Sequence, residues 1–228
     1  MTLRLPSLAV FDLAGTTIQD DGTVAVVFKE VLAAESIWTT SEEIAQVRGA
    51  GKREAFQRLS REAVQAKRLY EHFIKGIRQR YTTSPPREVP GTSNTFTWLR
   101  QQGAKLALNT GFERETVGML LSALGWDAEV IDAIVCGDEV VAGRPAPAMI
   151  FEAMRRTGVS DPTRVMVVGD TVLDLQAGRA AGAGWVVGVT SGAHDRARLL
   201  QAPHTHLLQS VAEIPRLLGE IRHVSNSP

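Results

Sequence analysis

The 228-residue chain has a single cysteine, Cys136, so it cannot close a disulfide within itself and does not read as a disulfide-stapled secreted scaffold. It has no excess of charge of either sign, with 25 Lys and Arg against 25 Asp and Glu. Without a net field to draw it to nucleic acid or to an anionic membrane, any small anionic ligand has to be met by local groups. No uncharged apolar stretch approaches the roughly 18 residues a membrane helix needs. Met1–Pro6 offers neither a long apolar core nor a small-residue cleavage site, so it does not read as a secretory leader. A cytoplasmic protein is the expectation. Internal repeats and low-complexity tracts are also lacking.

Apolar residues, at 44%, suffice for a substantial core. They recur as short runs that each stop at Gly, Asp or Thr: Leu8–Phe11, Lys105–Leu108, Ala133–Val135, Val165–Val168, Trp185–Val189 and His206–Leu208. Most are continuous rather than alternating, as expected for parallel strands covered on both faces. Helical patterns over Thr92–Gln102, Glu113–Leu124, Pro147–Thr157 and Leu173–Ala181 lie between them. Strand and helix in alternation predict an α/β fold with a doubly wound parallel sheet.

One block breaks the alternation. From Gly22 to Arg87 only helical stretches occur: Val24–Ala34, Ser41–Val47 with Ser41 as N-cap, Lys52–Ala63 and Ala66–Tyr81. Pro85-Pro86 and Pro90-Gly91 close it. The expected organisation is a first part of the core over 1–20, a small all-helical cap over 21–88, and the rest of the core over 89–228. Such a cap would hang over the carboxyl edge of the sheet, where ligands of α/β folds bind.

Four pieces with chemical potential stand at strand ends. Phe11-Asp12-Leu13-Ala14-Gly15-Thr16-Thr17 puts a carboxylate just past the first strand, with Gly15 allowing a tight turn. Asn109-Thr110-Gly111 offers a hydroxyl and backbone N–H groups ahead of a helix. Gly143-Arg144-Pro145 supplies a guanidinium suited to bidentate phosphate binding. Val168-Gly169-Asp170-Thr171, followed by Asp174, supplies two carboxylates one helical turn apart, hard oxygen donors of the kind Mg²⁺ takes. Any one of these is ordinarily an N-cap, a turn or a solvated charge. In this order, all at strand ends, they are the parts of phosphoryl transfer: nucleophile, phosphate cradle, charge neutraliser and metal site.

The four motifs together resemble the haloacid dehalogenase superfamily over nearly the whole chain. Asp-x-Ala-Gly-Thr-Thr, Ala-Gly-Arg-Pro and Gly-Asp-Thr resemble its phosphonoacetaldehyde hydrolase (phosphonatase) branch. The superfamily's usual acid two residues after the nucleophile is Ala14 here, and its usual third-motif Lys is Arg144. A methyl group cannot protonate a departing alkoxide or activate water. In phosphonatases a cap lysine forms a Schiff base with the aldehyde substrate, so that carbon leaves as an enamine. The lysine that matches is Lys52, in Arg48-Gly49-Ala50-Gly51-Lys52. The family's Met before the loop glycine is Arg48, its His three residues after the lysine is Ala55, and its tyrosine after the second motif is Phe112.

The resemblance implies catalysis by Asp12 and Lys52, and substrate or phosphate binding by Thr16, Thr110, Gly111 and Arg144; Arg48, which departs from it, adds a positive charge able to lower the Lys52 pKa or to bind a second anionic group of the substrate. It implies Mg²⁺ at Asp12, the Ala14 carbonyl, Asp170 and Asp174, with Asp174 direct or one step removed. The expected function is Mg²⁺-dependent cleavage of the C–P bond of a small phosphonate, with hydrolysis of small phosphate monoesters as the alternative. The implied partners are a small anionic phosphorus compound and a second copy of the chain, docked through the cap along Val24–Ala34. The five histidines are not grouped as metal ligands, Cys136 reads as a small core residue, and the four tryptophans read as packing residues.

Overall fold

The computed structural model describes residues 5–60 and 62–225. Apolar runs form the strands β1 (Leu8–Phe11), β2 (Lys105–Thr110), β3 (Ala133–Cys136), β4 (Val165–Gly169), β5 (Trp185–Val189) and β6 (His206–Leu208). The connections hold helices α1 (Thr23–Ala34), α2 (Ser41–Val47), α3 (Lys52–Leu59), α4 (Ala63–Thr83), α5 (Thr92–Gln101), α6 (Arg114–Leu124), α7 (Ala148–Thr157), α8 (Val172–Ala180), α9 (Arg196–Leu199) and α10 (Ile214–Ser225). All strands pair in parallel, in the order β3-β2-β1-β4-β5-β6.

Successive residues of β1 face opposite sides of the sheet. Ala9 and Phe11 join Met166, Val168 and the apolar faces of α5, α6 and α10, while Leu8 and Val10 join Val165, Val167, α7, α8 and α9. Both faces are covered, which is why the strands read as unbroken apolar runs. From β1 the chain winds outward through β2 and β3, then restarts at β4 on the other side of β1 and winds outward through β5 and β6. The crevice at the carboxyl ends of β1 and β4 is therefore the topological switch point, the usual ligand site of such sheets.

Helices α1 to α4 are inserted between β1 and α5, with no strand among the described residues there. The chain leaves and re-enters side by side: Gln19 N donates to Arg87 O at 2.8 Å, and Val89 N to Thr17 O at 2.9 Å. Phe28, Phe56 and Phe73 interlock with ring centroids 4.6 to 5.4 Å apart and give the insert its own aromatic centre.

Some expectations shift. Thr40, not Ser41, is the N-cap of α2: its hydroxyl accepts from Glu43 N while the Glu43 carboxylate accepts from Thr40 N, a reciprocal box that Ser41 cannot form with Ile44. Helix α3 stops at Leu59 rather than Ala63, because Ser60 is extended, and α4 starts at Ala63 instead of Ala66 and runs to Thr83. Trp38 is not a packing residue; it is 96% exposed, in the connection between α1 and α2, where its neighbour Ile37 packs inward instead. Among the described residues no helix is long and apolar enough to cross a membrane.

Candidate active site

Asp12 directly follows β1, its N–H donating to Val168 O on β4 at 2.9 Å. The sheet's own hydrogen bonding thus sets where its carboxylate stands. Gly15, at φ +92°, turns the chain back so tightly that a Cβ there would lie 2.5 Å from Asp170 Oδ2. Only glycine meets both demands. The Asp12 carboxylate is nearly buried and forms an ion pair with Arg144 Nη1 at 2.7 Å.

Arg144, far from being a surface charge, is 1% exposed. The same Nη1 also pairs with Asp174, so Arg144 is anchored between two carboxylates, while its buried Nε has no partner. Asp174 is fully engaged: one oxygen takes Arg144, and the other takes the N–H and hydroxyl of Thr171 in the capping box that starts α8. The two acids of the Gly169-Asp170-Thr171 segment therefore diverge. Asp174 braces the guanidinium, and Asp170 faces Asp12.

Asp170 accepts from Ala193 N at 2.5 Å and from the Thr16 hydroxyl at 3.3 Å. Burial, with the Asp12 charge beside it, pushes its carboxyl up to about 6. The two carboxylates, with the Ala14 segment on the same wall, make a hard-oxygen donor set. That set fits a Mg²⁺ ion, which takes one or two carboxylates and keeps waters. Thr16 stands beside Asp170 as a support and not on the cavity wall.

Thr110 ends β2, and its Oγ1 accepts from Phe112 N at 3.3 Å, which leaves the hydroxyl hydrogen free to turn toward the cavity. Gly111 has its carbonyl on Lys52 N at 3.4 Å, and a Cβ there would lie 2.4 Å from Ala50 O. The loop Arg48–Lys52 of the insert lies against this turn. Gly49, at φ +88°, passes so close to Thr171 that a Cβ would meet its hydroxyl at 2.5 Å.

Lys52, the first residue of α3, is 7% exposed, with Nζ 5.4 Å from the Phe112 ring centroid and 5.9 Å from that of Phe28. Burial, then the Arg144 guanidinium, pushes its ammonium down to about 8, against a smaller opposing effect of Asp12. Arg48 pairs with Asp20, whose other oxygen accepts from Val24 N at 3.2 Å. Asp12, Arg48, Lys52, Arg144 and Asp170 all border one chamber of about 20 Å³, room for about one water. Lys52 and Gly111 also border a cleft of about 580 Å³ outside it, against Gly51, Tyr70 and Gly143.

Sequence reasoning did not find Asp20, Thr171 or His194. His194 Nδ1 accepts from Val172 N at 3.1 Å, so Nε2 carries the proton and donates to Ala45 O of the insert at 3.1 Å. A histidine in Gly-Ala-His gives no local sign of this, because its partners are 22 and 149 residues away.

Known proteins resemble the chain over most of its length. A family model described as haloacid dehalogenase-like hydrolase matches residues 6–182. A phosphonoacetaldehyde hydrolase of Bacteroides fragilis is 33% identical over 161 residues, 71% of this chain and 58% of that protein. The chain thus spans less than two thirds of that relative. One from Bacillus cytotoxicus is 31% identical over 209 residues, covering 82% of this chain and 76% of that protein. The crystal structure of a hydrolase from Pseudomonas syringae superposes with a TM-score of 0.85 at 26% identity, covering 94% of this chain and 99% of that one. The chain belongs to the haloacid dehalogenase-like hydrolases, and within them it is similar to the phosphonoacetaldehyde hydrolases.

Proposed function

We propose that this hydrolase cleaves the C–P bond of a small carbonyl phosphonate, with Asp12 as nucleophile toward phosphorus and Lys52 as the amine that activates carbon. The observation that carries the reading is Lys52: a buried amine, poised at about 8, bordering the same small chamber as Asp12 and Ala14.

Each residue has a task that its surroundings support. Arg144, braced by Asp174, holds Asp12 Oδ1 and offers its unpartnered Nε edge to the phosphonate oxygens. The Thr110 hydroxyl and the backbone near Gly111 cradle the same group. Phe28 and Phe112 keep water from the Lys52 amine and favour its neutral form. The amine adds to the substrate carbonyl and loses water, leaving an iminium. Asp12 then attacks phosphorus, and the C–P electron pair passes into the iminium to give an enamine. No acid is needed at the leaving carbon, so the methyl of Ala14 is no obstacle. Water then hydrolyses the aspartyl phosphate and the enamine-derived imine. Mg²⁺, held by Asp12, Asp170 and the Ala14 carbonyl, would neutralise charge on the phosphoryl oxygens.

A chamber of about 20 Å³ is too small for such a substrate, so the helical insert over 21–88 acts as a cap that opens at the paired segments 17–19 and 87–89 and closes over the ligand. The protein works in the cytoplasm. It works as a homodimer joined through the insert, where Val26 on α1 and Trp38 leave apolar surface exposed. A monomer in sedimentation at micromolar concentration speaks against the dimer.

The test is borohydride reduction in the presence of phosphonoacetaldehyde, followed by mass mapping. An adduct on Lys52 that is lost in Lys52→Arg supports C–P cleavage. No adduct, with full activity of Lys52→Arg on phosphate monoesters, replaces this reading with a phosphatase.

A further inference from the structure

The chamber between sheet edge and insert holds one more cation than the proposed chemistry uses. Arg144 and Lys52 have tasks; Arg48 also borders the chamber and has none. Its guanidinium is held from one side only, by Nη2 to Asp20, and the Asp20 side chain is itself wholly buried and fixed to Val24 N. Nε and Nη1 are not among the buried atoms that lack a partner, and Arg48 borders the chamber. Arg48 is 15% exposed, on a loop that Gly49 presses against Thr171. An arginine fixed by a buried carboxylate is pre-aimed, and its remaining N–H donors suit the oxygens of an anion.

The reading of Lys52 decides which anion. The phosphonate is accounted for by Arg144, Thr110 and the Gly111 turn, on the sheet side. Arg48 comes from the same short loop as Lys52, and both border the one small chamber, so the group that meets Arg48 has to lie close to the carbon that Lys52 attacks. We propose that Arg48 binds a carboxylate on that carbon, and that the substrate is a 2-oxo-3-phosphono acid rather than an unsubstituted aldehyde. The inference rests on the Schiff-base reading. The Lys52 amine adds to the 2-oxo carbon and water leaves. Asp12 takes the phosphoryl group, and the C–P electrons form the enamine. Protonation and hydrolysis then release a 2-oxo acid with a methyl group in place of the phosphonomethyl, together with phosphate. One water is consumed overall, and no oxidant or reductant enters.

The experiment compares 3-phosphonopyruvate with phosphonoacetaldehyde on the Mg²⁺-supplemented protein, reading phosphate release and borohydride adducts on Lys52. The expected wild-type result is a kcat/KM at least about tenfold higher for 3-phosphonopyruvate, as for a site whose charged donor would otherwise stay unpaired. Arg48→Met should shift the ratio of the two kcat/KM values roughly 100-fold toward the aldehyde. Because that change strands Asp20, Arg48→Met/Asp20→Asn is measured beside it and should give the same shift. A wild type that prefers the aldehyde, or a ratio unmoved in both variants while Lys52 is still trapped, overturns the assignment of Arg48 and leaves C–P cleavage standing. Lack of any Lys52 adduct with either compound overturns both. Should neither variant fold, the wild-type preference, with trapping of pyruvate against acetaldehyde on Lys52, decides alone.

Discussion

At the sheet edge, Asp12, Thr110 and Asp170 each stand at or one residue past a strand end, positioned by the register of β1 against β2 and β4. In the helical insert, Lys52 is positioned by packing: α3 and α4 with α1 enclose Phe28, Phe56 and Phe73, and the amine rests near two aromatic rings. The strand-end groups are set by the sheet's own register. The amine is buried where the loop Arg48–Lys52 lies against Gly111, Gly143 and Thr171. On the proposed reading, a nucleophile fixed by backbone and an activator carried by the insert can thus be altered separately.

The largest effect is expected at the sheet edge. Asp12→Asn should lower turnover by about 10⁴-fold or more, since an amide is a poor nucleophile, while circular dichroism stays native. Turnover close to wild type would remove Asp12 from the chemistry. On the insert side, Lys52→Arg should lower C–P cleavage by roughly 10³-fold and abolish borohydride trapping, yet leave the fold intact. Residual trapping at another lysine would show that the activator lies elsewhere.

The pH profile sharpens the same contrast. The protonated Lys52 cannot add to a carbonyl, and its pKa is lowered to about 8. Cleavage of a carbonyl phosphonate should therefore fall about tenfold per unit as pH drops below about 8, and level off above it. A break near the ordinary lysine range would mean the amine is not desolvated in the working enzyme.

Gly49→Ala probes the fit of insert on core. The φ of +88° and the 2.5 Å approach to Thr171 should cost about 2 kcal/mol, read as a lower denaturant midpoint and a higher KM. The smallest effect is expected for Arg198→Ala, which removes an ion pair to Glu42 across the same boundary at 2.9 Å. That pair is solvent-screened, so thermal melting should be indistinguishable from wild type.

How much of this was legible beforehand follows from sequence distance. A parallel strand covered on both faces must be a continuous apolar run, and a residue just past it must lie at the carboxyl edge, so β1, β2, β4 and the groups at their ends could be read directly. The helical character of the insert was equally plain, but its helix ends were not. Thr40 and Ser41 are both good caps, and the choice depended on which one had a glutamate three residues on.

The sequence by itself thus determined the doubly wound sheet, the strand-end acids and the helical insert, because these depend on periodicity and on neighbours within a few residues. Only the tertiary structure decided that Asp174 braces Arg144 rather than facing Asp12, that Arg48 is tethered to Asp20, and that Lys52 is buried between Phe28 and Phe112. Those outcomes turn on partners 24 to 60 residues apart: Asp20 to Arg48 and Lys52 lies 28 and 32 away, Arg144 to Asp174 is 30, and Lys52 to Phe28 and Phe112 is 24 and 60. A charge or an amine takes its character from desolvation and from the groups brought against it, and both are set when the chain closes on itself.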